Sequence, residues 1–198
     1  SGALPGGAGC DQTPPMHRGP LLLASRSPRR RALLLAAGYA VTTQPTETDE
    51  TWSPAWERIA GVCALARRKL AAARVPAEVR ALAADTLVFA GDSPLGKPSN
   101  PADAQAMLRH LAGRTHRVVT AFAWQCAGQT GVEAVETRVI FRPLSDAEIE
   151  TYVATGEPMD KAGAYGIQGA GGALIDRIEG SYTNVVGLPL REVIDVLG

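Results

Sequence analysis

Short apolar runs alternate with stretches of helical period along most of the chain, and this alternation predicts strands interleaved with helices. Leu21, Leu22, Leu23 and Ala24 form a run short enough for a buried strand. Ser27 and Pro28 then mark a helix start, a capping hydroxyl followed by proline where a missing N–H costs nothing. Leu33, Leu34 and Ala37 supply its apolar face and Gly38 its stop. Residues 39–43 read as a second strand, and a polar acidic loop covers 44–51. Ser53 and Pro54 repeat the start signal for a long helix burying Ile59, Cys63, Ala66 and Leu70, with Arg67, Arg68 and Lys69 beside that face. A strand over 81–90 leads through a turn at 91–96 to Lys97.

The same reading carries to the C-terminus. Asn100 and Pro101 open a helix with Ala104, Met107, Leu108 and Leu111 at helical spacing, stopped by Gly113. Residues 116–126 and 133–141 predict an antiparallel hairpin around Gly128 and Gly131. Ser145 to Glu148 form a capping box for a helix ending near Gly156. A glycine-dense segment at 161–172 precedes a strand-like stretch at 173–178, then Val185-Val186 and a short final helix from Pro189. The pattern predicts one α/β domain with a mixed central β-sheet flanked by helices.

Composition narrows the class. At 198 residues, 45% apolar and 20% charged, the chain has the profile of a soluble single domain. Twenty basic residues balance twenty acidic ones, so no global field draws nucleic acid or a membrane surface. Three scattered cysteines (Cys10, Cys63, Cys126) form no CxxC pair and no HExxH is present, which argues against a zinc site or a disulfide framework. A reducing, cytoplasmic setting is expected. Residues 1–20 are rich in glycine and proline and predict a disordered tail before a domain over 21–198; they resemble neither a signal peptide nor a membrane span.

Candidate chemistry gathers in a few places. Arg29 and Arg30, with Arg31 beside them, oppose the positive end of their own helix dipole, at a cost of about 0.3–1 kcal/mol each when exposed. Clustered guanidinium groups beside free helix N–H groups suit a multiply charged anion, most simply phosphate. Asp85 stands alone in an apolar strand, where a carboxylate needs a metal, a cation or a capping role. Lys69, Lys97, Arg29 and Arg30 are candidate partners for it, and the two lysines for phosphate charge. Glu47, Asp49 and Glu50 offer the oxygen ligands that suit magnesium or manganese held jointly with substrate phosphates, or form an ordinary solvated loop. Residues 91–97 match the start of a P-loop, but Pro98 replaces its metal-binding hydroxyl, so they are read as a turn. The glycine-dense segment permits close backbone approach to a ligand, and Gln168 within it carries both a donor and an acceptor for a base edge.

Five landmarks then stand in order: Ser25-Arg-Ser-Pro-Arg-Arg30, Ala84-Asp-Thr86, Gly96-Lys-Pro98, Asp160-Lys-Ala-Gly-Ala-Tyr-Gly-Ile-Gln-Gly169, and Gly180-Ser-Tyr182 with Asn184-Val-Val-Gly-Leu-Pro189. With them the sequence from Leu21 onward closely resembles the Maf family of nucleoside triphosphate pyrophosphatases, akin in fold to the inosine triphosphatase group. The resemblance implies metal-dependent hydrolysis of a nucleoside triphosphate to a monophosphate and pyrophosphate, by a homodimer. It implies that Ser25, Arg29 and Arg30 bind phosphate, that Asp85 is the catalytic aspartate, that Glu50 shares the metal with it, and that Lys69 and Lys97 neutralise the triphosphate. Arg30, Thr86 and Gln168 look like the branch acting on dTTP and UTP rather than the one acting on 7-methyl-GTP. A glutamine amide complements the carbonyl and imide N–H of uracil or thymine. The rival readings are a nucleotide-binding regulator of septum formation without turnover and a phosphatase releasing the terminal phosphate.

Overall fold

The computed structural model describes residues 17–198. The expectation of a disordered tail falls largely on residues 1–16, outside the described part. Strand β1 spans Gly19–Leu23, so Gly19 and Pro20 belong to the sheet. Helix α1 (Pro28–Ala36) starts as its sequence predicts, with Ser27 Oγ accepting from Arg30 N at 3.4 Å. Gly38, at φ 91°, turns the chain into β2 (Tyr39–Thr43), which runs parallel to β1.

Helix α2 departs from the expectation at its start and at Ile59, while Ala66 is buried and Cys63 and Leu70 pack half-buried against the core as expected. It spans Arg58–Ala72 rather than opening at Ser53-Pro54, and its buried residues are Gly61, Val62, Leu65 and Ala66, while Ile59 is exposed. The cause is tertiary. Trp52 and Trp56 pack edge to face, and Trp52 also meets Phe89 at a centroid distance of 5.5 Å. The Trp52 ring lies so close over Gly61 that any side chain there would collide with it. Residues 53–56 therefore form a turn that brings the indoles onto the helix, and the buried stripe rotates to Val62, Leu65, Ala66 and Lys69.

Strand β3 (Ala81–Ala90) is the centre of the sheet. It turns at Gly91-Asp92 into the short β4 (Ser93–Leu95), so the predicted turn at 91–96 contains a strand that pairs back on β3. Helix α3 (Pro101–Leu111) is capped by Asn100, whose side chain accepts from Asp103 N at 2.9 Å. The hairpin of β5 (Thr115–Cys126) and β6 (Gln129–Phe141) is tighter than predicted. Its loop is Ala127-Gly128 alone, both at positive φ as a type I′ turn requires, and Gly131 pairs within the ladder. Helix α4 (Asp146–Ala154) carries the full capping box of Ser145 and Glu148. Short 3-10 turns thread the glycine-dense segment to β7 (Ile175–Glu179). Val185 and Val186 lie in a short helix, α5 (Tyr182–Val186), ahead of α6 (Leu190–Leu197).

The strand order is β2-β1-β3-β5-β6-β7, with β4 also on β3. β2, β1 and β3 run parallel and the remaining pairs antiparallel, which makes the sheet mixed. Successive β3 side chains point to opposite faces. Phe89 packs with α2 and Val119, whereas Leu82 and Ala84 pack with α1 and α6, and Val88 with α3 and α4. No helix among the described residues is long and apolar enough to cross a membrane.

One buried polar pair in this core titrates. His116, 1% exposed, has Nε2 at 2.7 Å from the Tyr165 hydroxyl, while its Nδ1 is buried without a partner. Burial lowers its pKa from 6.5 to about 4. The unfolded chain thus binds a proton below pH 6.5 that the fold refuses, so stability present above pH 6.5 is lost as pH falls towards 4, at about 1.4 kcal/mol per unit. Urea unfolding at pH 6.5 and pH 5 is expected to show this loss, and His116→Gln to remove it. Equal stability of the parent protein at both values would contradict the assignment.

Candidate active site

A gap in the pairing of β3 creates the site. β1 pairs with β3 only at Ala81 and Leu82, and β4 pairs only from Val88 to Ala90, whereas β5 follows the opposite edge from Ala81 to Phe89. Residues 83–87 therefore present a free edge, with Asp85 and Thr86 at its middle. Because they are consecutive, they serve opposite faces: Asp85 stands across from Ala121 on the α2 side, and Thr86 across from Thr120 on the other. A cleft of about 910 Å³ opens along this edge. All of the residues predicted for the site line it: Ser25, Arg29, Arg30, Glu50, Lys69, Asp85, Thr86, Lys97 and Gln168.

Lys69 reaches the cleft because it continues the buried stripe of α2. Its Nζ lies 2.5 Å from Asp85 Oδ1 and 2.9 Å from Glu50 Oε1. The Lys69 and Asp85 side chains are 12% and 10% exposed, and Glu50 is open at 61%. A pair removed from water to this degree contributes little net stability, because desolvation offsets the attraction. What it supplies is a fixed charge pattern. The other two acids of the loop are engaged elsewhere: Glu47 pairs with exposed Arg26, and Asp49 accepts from Thr51 N. Glu50 alone of the three lines the cleft.

On the opposite face, Arg30 is held by three of its own donors. Nε donates to Gly187 O at 2.8 Å, Nη2 to Thr86 Oγ1 at 3.0 Å and Nη1 to Ser25 Oγ at 3.3 Å. Burial draws its guanidinium below the ordinary value, opposed by the Asp85 carboxylate; an arginine remains charged regardless. The Thr86 and Thr120 hydroxyls behind it each reach a backbone carbonyl as well as one another. Thr120 donates to Asn184 O at 3.0 Å, since a carbonyl can only accept. Thr86 accepts from Arg30, and the acceptors within reach of its own hydrogen are Thr120 Oγ1 at 2.9 Å and Gly187 O at 3.4 Å. Asn184 is anchored in turn by donating to Val118 O and Thr137 Oγ1. Thr86 is thereby engaged within the protein as both donor and acceptor, and two of the five Arg30 N–H groups lie outside its three bonds.

Further along, Arg29 faces Asp160 at 3.6 Å, and Asp160 accepts from Lys161 at 2.6 Å. The Lys161 hydrogen bond, followed by the charges of Lys161 and Arg29, holds the Asp160 carboxyl below its ordinary value. Lys97 follows β4, whose exit is fixed by Gly163 N donating to Gly96 O at 3.0 Å. Gln168 lies exposed in the cleft wall. Arg31 is exposed and takes no part in the lining. The residues that sequence reasoning gave no role are Thr120 and Asn184 behind Thr86, and Glu157, Asp160 and Lys161 beside the glycine-dense loop. Asn184, Asp160 and Lys161 stand within the sequence landmarks. Thr120 and Glu157 carry no local signal that separates them from ordinary strand and loop residues.

Two cationic faces around a carboxylate and an open acidic group suit a polyanion with a reactive centre near Asp85. A dTTP/UTP pyrophosphatase of Geobacter sp. is 48% identical over 185 residues, 92% of this chain and 96% of the relative. One of Moorella thermoacetica is 50% identical over 182 residues, covering 89% and 93%. Among solved structures, a nucleoside-triphosphatase / dITP/XTP pyrophosphatase of Mycobacterium abscessus aligns over 90% of this chain and 94% of its own, at 16% identity and TM-score 0.42. The sequence profile described as Maf-like protein matches residues 20–198, and the chain belongs to that family.

Proposed function

We propose that this protein is a nucleoside triphosphate pyrophosphatase that hydrolyses dTTP and UTP to the monophosphate and pyrophosphate. The observation that carries the reading is the union of Asp85, Lys69 and Glu50 with Arg29, Arg30 and Lys97 in one cleft. The names and the extent of identity of the relatives support it. Asp85 accepts a proton from water as the oxygen attacks the α-phosphorus, and the bond to the bridging oxygen breaks to release pyrophosphate. Arg29, Lys69 and Lys97 neutralise the charge that develops on the leaving group. Ser25 and Arg30 bind phosphate with Arg29, Gln168 reads the base, and Arg30, Thr86 and Gln168 together are the set that resembles the dTTP/UTP branch. The free thiols of Cys63 and Cys126 suit a reducing, cytoplasmic setting.

A divalent ion, magnesium or manganese, belongs to the proposal. Its donors would be Glu50 and Asp85, which converge on Lys69, together with the substrate's phosphate oxygens. That set fits magnesium, commonly held by one or two carboxylates plus phosphates. No group of three or more His, Cys, Asp or Glu side chains able to hold an ion occurs among the described residues, so the substrate's oxygens are needed to complete the shell. When bound, the ion withdraws charge from the phosphates.

Three outcomes test the reading. Purified protein with magnesium or manganese and a panel of nucleoside triphosphates is expected to release pyrophosphate chiefly from dTTP and UTP; orthophosphate as the sole product, or preference for 7-methyl-GTP, would contradict it. Asp85→Asn should lower kcat by about a hundredfold or more, with the circular dichroism of the parent retained. Turnover within a few fold of the parent would remove Asp85 from the central role. Gln168→Ala should change the ranking of substrates more than the rate on the best of them, and an unchanged ranking would refute the base-reading assignment.

A further inference from the structure

The loop that carries Gln168 is pinned on both sides of that residue by one pair of side chains. Glu157 Oε2 accepts from Ala170 N at 2.9 Å, and Oε1 from Gly171 N at 3.1 Å and from the Tyr152 hydroxyl at 2.8 Å. The Tyr152 oxygen accepts in turn from Gly166 N at 3.2 Å. Backbone donors before and after Gln168 thus converge on a single carboxylate and phenol. Burial alone would raise the Glu157 pKa, but donors from Gly171, Tyr152 and Ala170 outweigh it and hold the carboxyl below the usual range. Tyr152 is held on α4, 5% exposed, among Ile149, Val153 and Leu174 of the core.

The glycines of the segment answer to this arrangement. A Cβ on Gly169 would collide with the Glu157 carboxylate. On Gly171 it would come within 2.5 Å of the Tyr152 hydroxyl, and on Gly166 within 2.6 Å of Lys161 Cε. The loop is glycine-dense because it lies directly against these side chains. Lys161 extends the connection, donating to Glu157 O at 2.7 Å and to the Asp160 carboxylate that faces Arg29. Glu157 lies beside the base end of the cleft and is joined to its phosphate end through two side chains.

We infer that Glu157, with Tyr152, is a positioning residue that sets base selectivity by fixing the backbone of Gln168 relative to Asp85. The inference rests on the proposed base-reading role of Gln168. All donors offered to the Glu157 carboxylate come from the loop and from Tyr152, so it holds the wall while Asp85 carries the reaction. Replacing its carboxylate by an amide turns an N–H₂ group towards backbone donors and releases one side of the loop.

The test uses the full chain with UTP and CTP, whose bases differ along the edge Gln168 is proposed to read. Glu157→Gln is expected to lower the UTP-over-CTP ratio of kcat/KM about tenfold, through a higher KM for UTP more than through kcat. Tyr152→Phe should move the ratio in the same direction by less, and decides the matter if Glu157→Gln does not fold. In a Gln168→Ala background, Glu157→Gln should cost less than about twofold further selectivity, since both act through one contact. Equal loss of kcat on both substrates at an unchanged ratio would overturn the positioning role while leaving the base reading in place. No change of the ratio in Gln168→Ala would refute the base reading, and the positioning role with it.

Discussion

The contact between Lys69 and Asp85 at the free edge of β3 is the constraint on which the rest of the site depends. A carboxylate inside an apolar strand is tolerated only with a cation beside it, and a lysine on the buried stripe of a helix only with an anion. Each therefore requires the other, and both require α2 to cross β3 where the sheet lacks a neighbour. The rotation of α2 imposed by Trp52 over Gly61 puts Lys69 in that position. A core packing decision thereby fixes an electrostatic one.

Around this contact, the structure commits its polar groups before any ligand arrives. Arg30 has three donors bonded within the protein, and the Thr86 and Thr120 hydroxyls behind it are tied to one another and to the Gly187 and Asn184 carbonyls. On the far wall, Glu157 and Tyr152 hold the loop of Gln168. The ordering entropy of these groups is met during folding, which leaves less to be lost when the triphosphate binds. The cost is a cluster of buried charge that contributes little to stability.

Features encoded locally were legible in the sequence. The hydroxyl-proline start of α1, the Asn100 cap of α3 and the capping box of α4 each depend on residues within one turn, and each forms as read. Asp85 was legible as a charge in the wrong surroundings. The start of α2 and the exposure of Ile59 were not, because Ser53-Pro54 also suits a turn, and the packing of Trp52 on Gly61 and Phe89 decided between the two. Glu57 caps that helix without a side-chain bond, so no local signal marked its true start. Thr120 and Glu157 stayed hidden for a related reason: Thr86 lies 34 residues from the one and the loop N–H groups 13–14 from the other, where only the fold brings them together. The glycines at 166, 169 and 171 were traces of Lys161, Glu157 and Tyr152, readable as crowding once the crowding side chains were known.

The central claim is that this cleft directs water to the α-phosphorus beside Asp85. It is tested most directly by hydrolysing UTP in water carrying heavy oxygen and locating the label by mass spectrometry. The account predicts the label in the nucleoside monophosphate and none in the pyrophosphate. Label in pyrophosphate would place the attack on the β-phosphorus, and label in orthophosphate would place it at the terminal phosphate. Either would contradict the assignment of the reacting atoms to Asp85.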